Sequence, residues 1–369
     1  MFPTHPHHPE TSCLRRRSRA GTGANLLVLV AAAVMAATAS PVTAQQPQQS
    51  AAPDINDLKA AYRRQPPRPV ENNELVDVGR LLFWDPRLSH SGKTACVTCH
   101  LPYLGWATTD SRSLGDSGRP TSRKSQSLLG IGHAEGIPVG WDGRNPTLEA
   151  QAKSSISTGS MSMRGTDKAV KVEVIEERIR AIPPYAAKFK AALPDAPINI
   201  EAIAKAIAAY ERTLEPGIAP FDRWVEGDET AISESAKRGF MLFNTKANCI
   251  ACHNGWLFTN GSFHDIGTST KDLGRGRQLK TVQLMQYAFK TPTLRSVALR
   301  PPYLHDGSAP NLYAVVKLYE KGGIERPSRS AEIFPLQLSE QDRLDLVAFM
   351  QTLTGVVEGE PAPKLPGVK

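Results

Sequence analysis

Two short motifs contain the residues of this sequence with the clearest chemical role. Residues 96–100 read CVTCH and residues 249–253 read CIACH, so a histidine directly follows each C-x-x-C pair. In this spacing the two thiols form thioethers to the vinyl groups of one haem, and the adjacent histidine lies beneath the iron as its proximal ligand. The sequence therefore predicts two covalently bound haem c groups. The residues that hold them are Cys96, Cys99, His100, Cys249, Cys252 and His253.

Paired cysteines have three other common roles: a zinc ribbon, a thioredoxin-like dithiol and disulfide bonds. A zinc ribbon usually separates its two pairs by about 15–20 residues, whereas these pairs lie at 96–99 and 249–252. A redox dithiol does not need a histidine directly after its second cysteine. Four cysteines in an exported protein would first suggest two disulfides, but the twofold occurrence of the histidine favours haem attachment.

The first 44 residues predict an export signal. Arginines precede a short apolar run from Leu26 to Ala37, and the triplet 42–44 (VTA) fits the small-x-small cleavage pattern. No later run of about 18 apolar residues follows, so we expect a periplasmic protein without a membrane span after cleavage. The alternative is that the apolar run stays attached as an anchor helix.

Composition limits the function classes. Apolar residues make up 40% of the chain and charged residues 22%, which permits a packed core and excludes wholesale disorder. The formal net charge is +8, but part of the excess lies in the predicted signal. No long basic run remains, so the charge does not indicate nucleic-acid binding.

Helical periodicity dominates the elements that must position the two motifs, and no sustained strand alternation is present. A helix with a similar phrase, GRLLF or GFMLF, precedes each motif, and Gly/Ser-rich segments follow. These patterns predict an all-α protein of two cytochrome-c-like haem domains with long haem-wrapping loops. The predicted helices are Glu74–Phe83, Val172–Ile182, Ile198–Leu214, Ser233–Asn244, Asn311–Lys321 and Ser339–Thr354.

The order of these features gives a domain plan. The predicted segments are a signal peptide at 1–44, a mobile leader at 45–72, an N-terminal haem c domain at 73–225, a C-terminal haem c domain at 226–357 and a tail at 358–369.

Phrases around the motifs make the sequence similar to a known family. From about residue 73 to 357 the ordered phrases LLFWDPRLS, GWDGRNPTLEAQA, FHDIG, FKTPTLRSVALRPPYLHDGS and LYAVVKLYEKGG resemble the bacterial dihaem cytochrome c peroxidase/MauG family. The resemblance implies that the N-terminal haem reacts with hydrogen peroxide and that a six-coordinate C-terminal haem relays electrons. It also implies a small periplasmic donor, a cytochrome c or cupredoxin, or else a partner protein that is oxidised; a homodimer stays open.

The resemblance also assigns individual residues. Trp141 matches a tryptophan that lies between the two haems and carries electrons, and Gln151 falls in the stretch that lines the distal side of the first haem. Tyr319 matches the second axial ligand of the C-terminal haem in MauG-like members, with Met285 as its rival. The loop 101–127 contains no histidine, which implies an open first haem.

His133 lies in GIGHAEG, after that loop. It is a candidate distal group, although a hydrogen-bonded loop histidine is the commoner case for a lone histidine.

Two departures from the family pattern affect the expected activity. Where the family has a glutamate that moves protons during peroxide cleavage, Ser160 or Met161 occurs in SISTGSMSMRG. Neither side chain can exchange a proton near neutral pH; Glu135 and Glu149 are the candidate substitutes. The second departure is Lys124, which replaces an asparagine that contributes to a calcium site in the family. Because an ammonium cannot coordinate calcium, the sequence argues against that ion.

These features predict a haem oxidoreductase of the peroxidase type. The alternative is an electron-transfer dihaem cytochrome with little peroxidase turnover, which the missing glutamate favours.

Overall fold

The computed structural model of the chain describes residues 54–163, 165–355 and 360–367. The predicted signal peptide and the first part of the predicted leader, 45–53, lie outside these ranges. The helices are α1 Ile55–Ala61, α2 Asn73–Trp84, α3 Leu148–Ser157, α4 Val172–Arg180, α5 Pro183–Ala192, α6 Ile200–Glu211, α7 Pro220–Val225, α8 Glu234–Asn244, α9 Leu312–Glu320 and α10 Glu340–Gln351. Two short strands, β1 Phe263–His264 and β2 Phe289–Lys290, pair antiparallel.

All six helices predicted from periodicity are confirmed, as α2, α4, α6, α8, α9 and α10. Side chains cap their starts: the Asn72 side chain accepts a hydrogen bond from the backbone of Leu75, and Ser233 begins α8 in the same way. Ser339 and Asp342 form a reciprocal capping box at α10. The all-α prediction is therefore confirmed for the described residues.

Two helix pairs cross at closely matched points. A Cβ added at Gly79 of α2 would lie 1.9 Å from the carbonyl oxygen of Ala206 in α6. A Cβ added at Gly239 of α8 would lie 1.9 Å from the carbonyl oxygen of Asp345 in α10. Only glycine permits either approach, so the two halves are built on one plan: a helix, a C-x-x-C-H motif, and a later helix that crosses the first.

The buried side chains form two separate cores. One takes its residues from Leu75 to Leu214, and the other from Phe221 to Leu353 together with Tyr62. Tyr62 follows α1, is fully buried, and donates a 2.7 Å hydrogen bond from its hydroxyl to Asn244. Residues 54–62 are thus packed against the second core, which differs from the mobile leader that their polar composition predicts.

Within the described ranges, no helix is long and apolar enough to cross a membrane.

Candidate haem centres

The two C-x-x-C-H motifs adopt the same local structure. A single turn of 3₁₀-helix begins at the first cysteine of each, over Cys96–Thr98 and Cys249–Ala251. The backbone N–H groups of His100 and His253 donate to the carbonyl of the first cysteine, at 3.1 and 2.9 Å. Each turn therefore brings the two thiols and the imidazole of its motif close together.

Each histidine is oriented by a backbone carbonyl. The Nδ1–H of His100 donates to the oxygen of Trp106 at 3.0 Å, and the Nδ1–H of His253 donates to the oxygen of Phe258 at 2.8 Å. Because a carbonyl can only accept, Nδ1 carries the proton and Nε2 is left with its lone pair. An outer hydrogen bond of this kind is the usual way in which proteins fix a histidine that ligates a metal.

Both imidazoles are held in the neutral form. Burial lowers the pKa of His100, and it lowers the pKa of His253 to about 4. A neutral ring with a free Nε2 is the state that binds iron.

The cysteines do not fit the alternative roles. All four are free thiols, so no disulfide joins them. Cys96 packs against the first core and Cys249 against the second, which rules out one shared zinc ribbon. Among the described residues, no cluster of three or more histidine, cysteine, aspartate or glutamate side chains could hold a metal ion.

A cavity of about 350 Å³ opens beside the second motif. Cys249, Cys252 and His253 lie on its wall, and the rest of the wall is mainly apolar. Tyr319, on the last turn of α9, lines the same cavity. The thiols and the imidazole thus share one enclosed space, the arrangement that a covalently bound macrocycle requires.

Tyr319 and Met285, the two candidates for the second axial ligand, differ in position. The phenol of Tyr319 is close enough to the cysteines that burial and then Cys252 and Cys249 raise its pKa above the usual value. Met285 lies in a 3₁₀ turn and is not among the residues that line the cavity.

Three cations on the cavity wall, Lys124, Lys290 and Arg300, have no carboxylate partner among the described residues. The guanidinium of Arg300 donates to the carbonyl oxygens of Arg295 and Thr293, at 2.6 and 2.7 Å, and burial lowers its pKa to about 10. Burial also lowers the pKa of Lys290 to about 8. Buried cations are costly unless an anion compensates them. The carboxylates of haem propionates would do so, and the site therefore fits a haem.

At the first motif, the segment after α3 lies against the attachment cysteine. Met161 is buried, and its Sδ is 3.8 Å from Sγ of Cys96. The backbone carbonyl of Ser160 accepts a hydrogen bond from Asp116 at 2.7 Å. Of the two candidates for the position of the family's glutamate, Met161 therefore contacts the N-terminal centre, and Ser160 directly precedes it.

The two candidate substitutes for that glutamate are engaged elsewhere. Glu135 pairs with Arg68 at 2.6 Å, and Glu149 pairs with Arg212 at 2.7 Å. Neither carboxylate is free to serve the N-terminal centre.

Sequence reasoning missed a third carboxyl, that of Glu211. Its side chain is buried, its Oε2 has no hydrogen-bond partner, and burial raises its pKa to about 8. The carboxylate in turn raises the pKa of the Cys96 thiol, though less than burial does. The signal was present in the sequence, because Glu211 occurs on the apolar stripe of α6, four residues after the buried Ile207.

The matched helix crossings support this location. In the first half the Cβ of Tyr210 lies against Gly79, and in the second half the Cβ of Phe349 lies against Gly239. The next residues along the chain, Glu211 and Met350, therefore occupy equivalent positions. Met350 lines the cavity of the second motif.

Trp141 lies between the two motifs in the network of contacts. It lines the second cavity, and its indole Nε1 donates to the carbonyl oxygen of Lys124 at 2.8 Å. Ser125, the residue after Lys124, contacts the first motif. Its hydroxyl and that of Ser113 hydrogen-bond the Cys99 thiol and partly offset the increase in the pKa of Cys99 that burial causes. The contact chain thus runs from the second cavity to Cys99.

The side chains of Gln151 and His133, the two remaining candidates from the sequence, form local hydrogen bonds. The side-chain oxygen of Gln151 accepts from Asn145 at 2.6 Å, and its amide donates to Ser155 at 3.1 Å. His133 lines the second cavity, and its Nε2 bonds Glu215 at 2.7 Å. His133 is therefore a hydrogen-bonded loop histidine.

Comparison with known proteins identifies the two halves separately. Residues 73–230 match the family described as di-haem cytochrome c peroxidase, and residues 236–354 match cytochrome c. Together with the helical fold, these matches confirm two haem domains of cytochrome c type.

Relatives span nearly the whole chain. The methylamine utilization protein MauG of Methylorubrum extorquens is 43% identical and aligns over 90% of this chain and 92% of its own length. Cytochrome c551 peroxidase of Nitrosomonas europaea is 31% identical, over 80% and 84%. The crystal structure of a MauG-like protein associated with microbial copper homeostasis superimposes with a TM-score of 0.69 and 27% identity, over 80% of this chain and 94% of that one.

Proposed function

The chain belongs to the di-haem cytochrome c peroxidase family that includes MauG, and on that basis we propose that it is a periplasmic peroxidase-type oxidoreductase with two covalent haems. The first motif would hold the haem at which hydrogen peroxide is reduced, and the second motif would hold the haem that relays electrons to it. One observation carries the proposal: both motif histidines donate Nδ1–H to a carbonyl and keep Nε2 free.

The residues that would hold each haem follow from the geometry. Cys96 and Cys99 form the thioethers of the first centre, with His100 as proximal ligand, and 249–253 does the same at the second. Bound haem supplies an iron that peroxide can oxidise. Arg300 and Lys290 would neutralise propionates of the second haem, since they line its cavity and have no carboxylate partner among the described residues.

Tyr319 would bind the iron of the second haem together with His253. Both side chains line one cavity, from which Met285 is absent. A phenolate ligand stabilises ferric iron and lowers the reduction potential. Trp141 on the same wall carries electrons between the centres.

The first centre has a weak proton-transfer apparatus. Either Met161, which contacts Cys96, or Ser160, which precedes it, stands where the family has a glutamate, and neither is an acid. Gln151, whose amide is bonded to Asn145 and Ser155, supplies no proton either, because an amide does not ionise near neutral pH. Peroxide turnover is accordingly slower than in relatives with the glutamate.

Calcium has no role in this proposal. The buried ammonium of Lys124 donates to the carbonyl oxygens of Thr108 and Asp110, at 2.6 and 2.9 Å. Carbonyl oxygens are calcium ligands, and here a lysine takes the place of the ion. Activity is therefore expected to survive dialysis against a calcium chelator.

The reducing partner is a small periplasmic electron-donor protein, a cytochrome c or cupredoxin; in MauG-like chemistry it is a partner protein that becomes oxidised. A second candidate function, an electron-transfer cytochrome with little turnover, is favoured by the lack of a free carboxylate at Ser160 and Met161. Steady-state oxidation of a reduced donor by peroxide separates the two, because a pure carrier shows no peroxide-dependent oxidation.

The proposal is tested by mass spectrometry and low-temperature EPR of the mature ferric protein made with haem-attachment machinery. We expect two haem additions, one high-spin signal and one low-spin signal. Replacing Cys96 and Cys99 with alanine must remove only the high-spin signal. Fewer than two additions, or loss of the low-spin signal in that variant, would overturn the assignment.

A further inference from the structure

Lys124 is a buried cation with an unusual set of partners. Its ammonium donates to two backbone carbonyls of the loop after the first motif, those of Thr108 and Asp110, at 2.6 and 2.9 Å. It forms no ion pair among the described residues. A buried ammonium that is bound by carbonyl dipoles stabilises the backbone conformation that presents those dipoles.

The backbone of the same residue binds two other segments. Its N–H donates to the carbonyl of His305 at 2.8 Å, and its own carbonyl accepts the indole N–H of Trp141 at 2.8 Å. One residue thus joins the loop of the first centre, the segment around His305 and the indole beside the second cavity.

The surroundings keep this junction rigid. The guanidinium of Arg123 pairs with Asp142, next to Trp141, at 2.8 Å and with Asp272 at 2.7 Å. The ring of Phe289, which lies beneath the guanidinium of Arg123, stacks on His305 with ring centroids 3.8 Å apart. Because Arg123, Phe289 and His305 already have these partners, a substitution at position 124 acts on the Thr108 and Asp110 carbonyls and on the indole of Trp141.

We propose that Lys124 is the positioning residue of the Trp141 relay. Its buried ammonium fixes the loop after the first motif and the Trp141 indole in one arrangement. This inference rests on the proposed electron-carrying role of Trp141. A side chain without a donor, such as that of methionine, would leave the buried carbonyl of Thr108 unpaired and the carbonyl of Asp110 with only the 3.4 Å bond from the Thr108 hydroxyl. An unpaired buried carbonyl favours rearrangement of the loop. The Lys124 carbonyl that holds the indole would move with it.

The experiment uses the dihaem protein and compares Lys124→Met with wild type, with Trp141→Phe and with Lys168→Met, which removes an exposed lysine of the same half. The C-terminal haem is reduced, peroxide is added, and its reoxidation is followed by stopped flow. The second readout is the ultraviolet resonance Raman band of the Trp141 indole, identified by its loss in Trp141→Phe, which reports the Nε1–H hydrogen bond.

We expect Lys124→Met to slow reoxidation at least tenfold and to shift the Trp141 band, with two haems and both EPR signals retained. Lys168→Met should match wild type. Lys124→Gln, which keeps a donor but no charge, should give an intermediate rate, and it takes the place of Lys124→Met if that variant does not load two haems.

The outcomes separate the inference from its premise. If Trp141→Phe reoxidises as fast as wild type, the proposed relay through Trp141 is wrong. If Trp141→Phe is slow while Lys124→Met keeps the wild-type rate and Raman band, the relay stands and the role of Lys124 is overturned.

Discussion

Met161 lies with its Sδ 3.8 Å from Sγ of Cys96, so the segment after α3 contacts the attachment cysteine of the first centre. A polar group installed there would lie beside the centre for which we propose the reaction with peroxide. On that proposal, a single substitution can supply the acid that this position lacks.

We predict that Met161→Glu or Ser160→Glu raises the rate at which the ferric protein reacts with peroxide. A distal acid/base commonly contributes about 10²–10⁴ in rate, and we expect at least tenfold, measured by stopped-flow absorbance under single turnover. Met161→Gln is the matched control, because it has the same length without a proton to move. Failure of both glutamate variants to exceed that control would remove this segment from the distal side.

The axial ligand of the second centre gives a spectroscopic prediction. Replacing Tyr319 with phenylalanine should change the low-spin EPR signal and leave the high-spin signal as it is, because only the C-terminal iron loses a ligand. Tyr313→Phe on the same helix is the control, since that hydroxyl instead bonds Glu340 at the surface. An unchanged low-spin spectrum would exclude Tyr319, and a change on Met285→Leu would reassign the ligand.

Sequence periodicity predicted α2, α4, α6, α8, α9 and α10, and all of these except α4 begin with a capping side chain. It did not predict α1, α3, α5 and α7; α1 and α7 have only seven and six residues, too few to show a helical period. The motif histidines were found because their chemistry requires a fixed spacing. Lys290 and Arg300 were missed because lysine and arginine usually lie at surfaces; only the fold shows that both line a cavity and have no carboxylate partner among the described residues.

Those two cations lead to a prediction on reduction potential. Arg300→Met removes a positive charge beside the second haem, so the ferric state gains relative stability and the midpoint potential falls. At an effective dielectric constant near 20, a charge about 8 Å from the iron contributes on the order of 2 kcal/mol, which for one electron is a decrease of several tens of millivolts.

Potentiometric titration with optical detection measures that decrease. Lys317→Met, an exposed cation on α9, serves as the control and should leave the potential within error. An equal or higher potential in Arg300→Met would show that Arg300 does not face the propionates.

Glu211 gives a prediction on stability and its pH dependence. Burial raises its pKa from 4.5 to about 8, so between those values the folded chain keeps a proton that the unfolded chain has lost. Stability therefore falls as pH rises through this window, and Glu211→Gln, which has no proton to lose, removes this pH-dependent loss of stability.

One pKa unit corresponds to about 1.4 kcal/mol, so we expect the variant to gain about 2–4 kcal/mol over wild type at pH 8 and little at pH 4.5. Denaturant unfolding at several pH values measures the difference, with the exposed Glu201→Gln on the same helix as control. A gain that does not grow with pH would show that the Glu211 carboxyl ionises normally in the folded protein and has found a partner there.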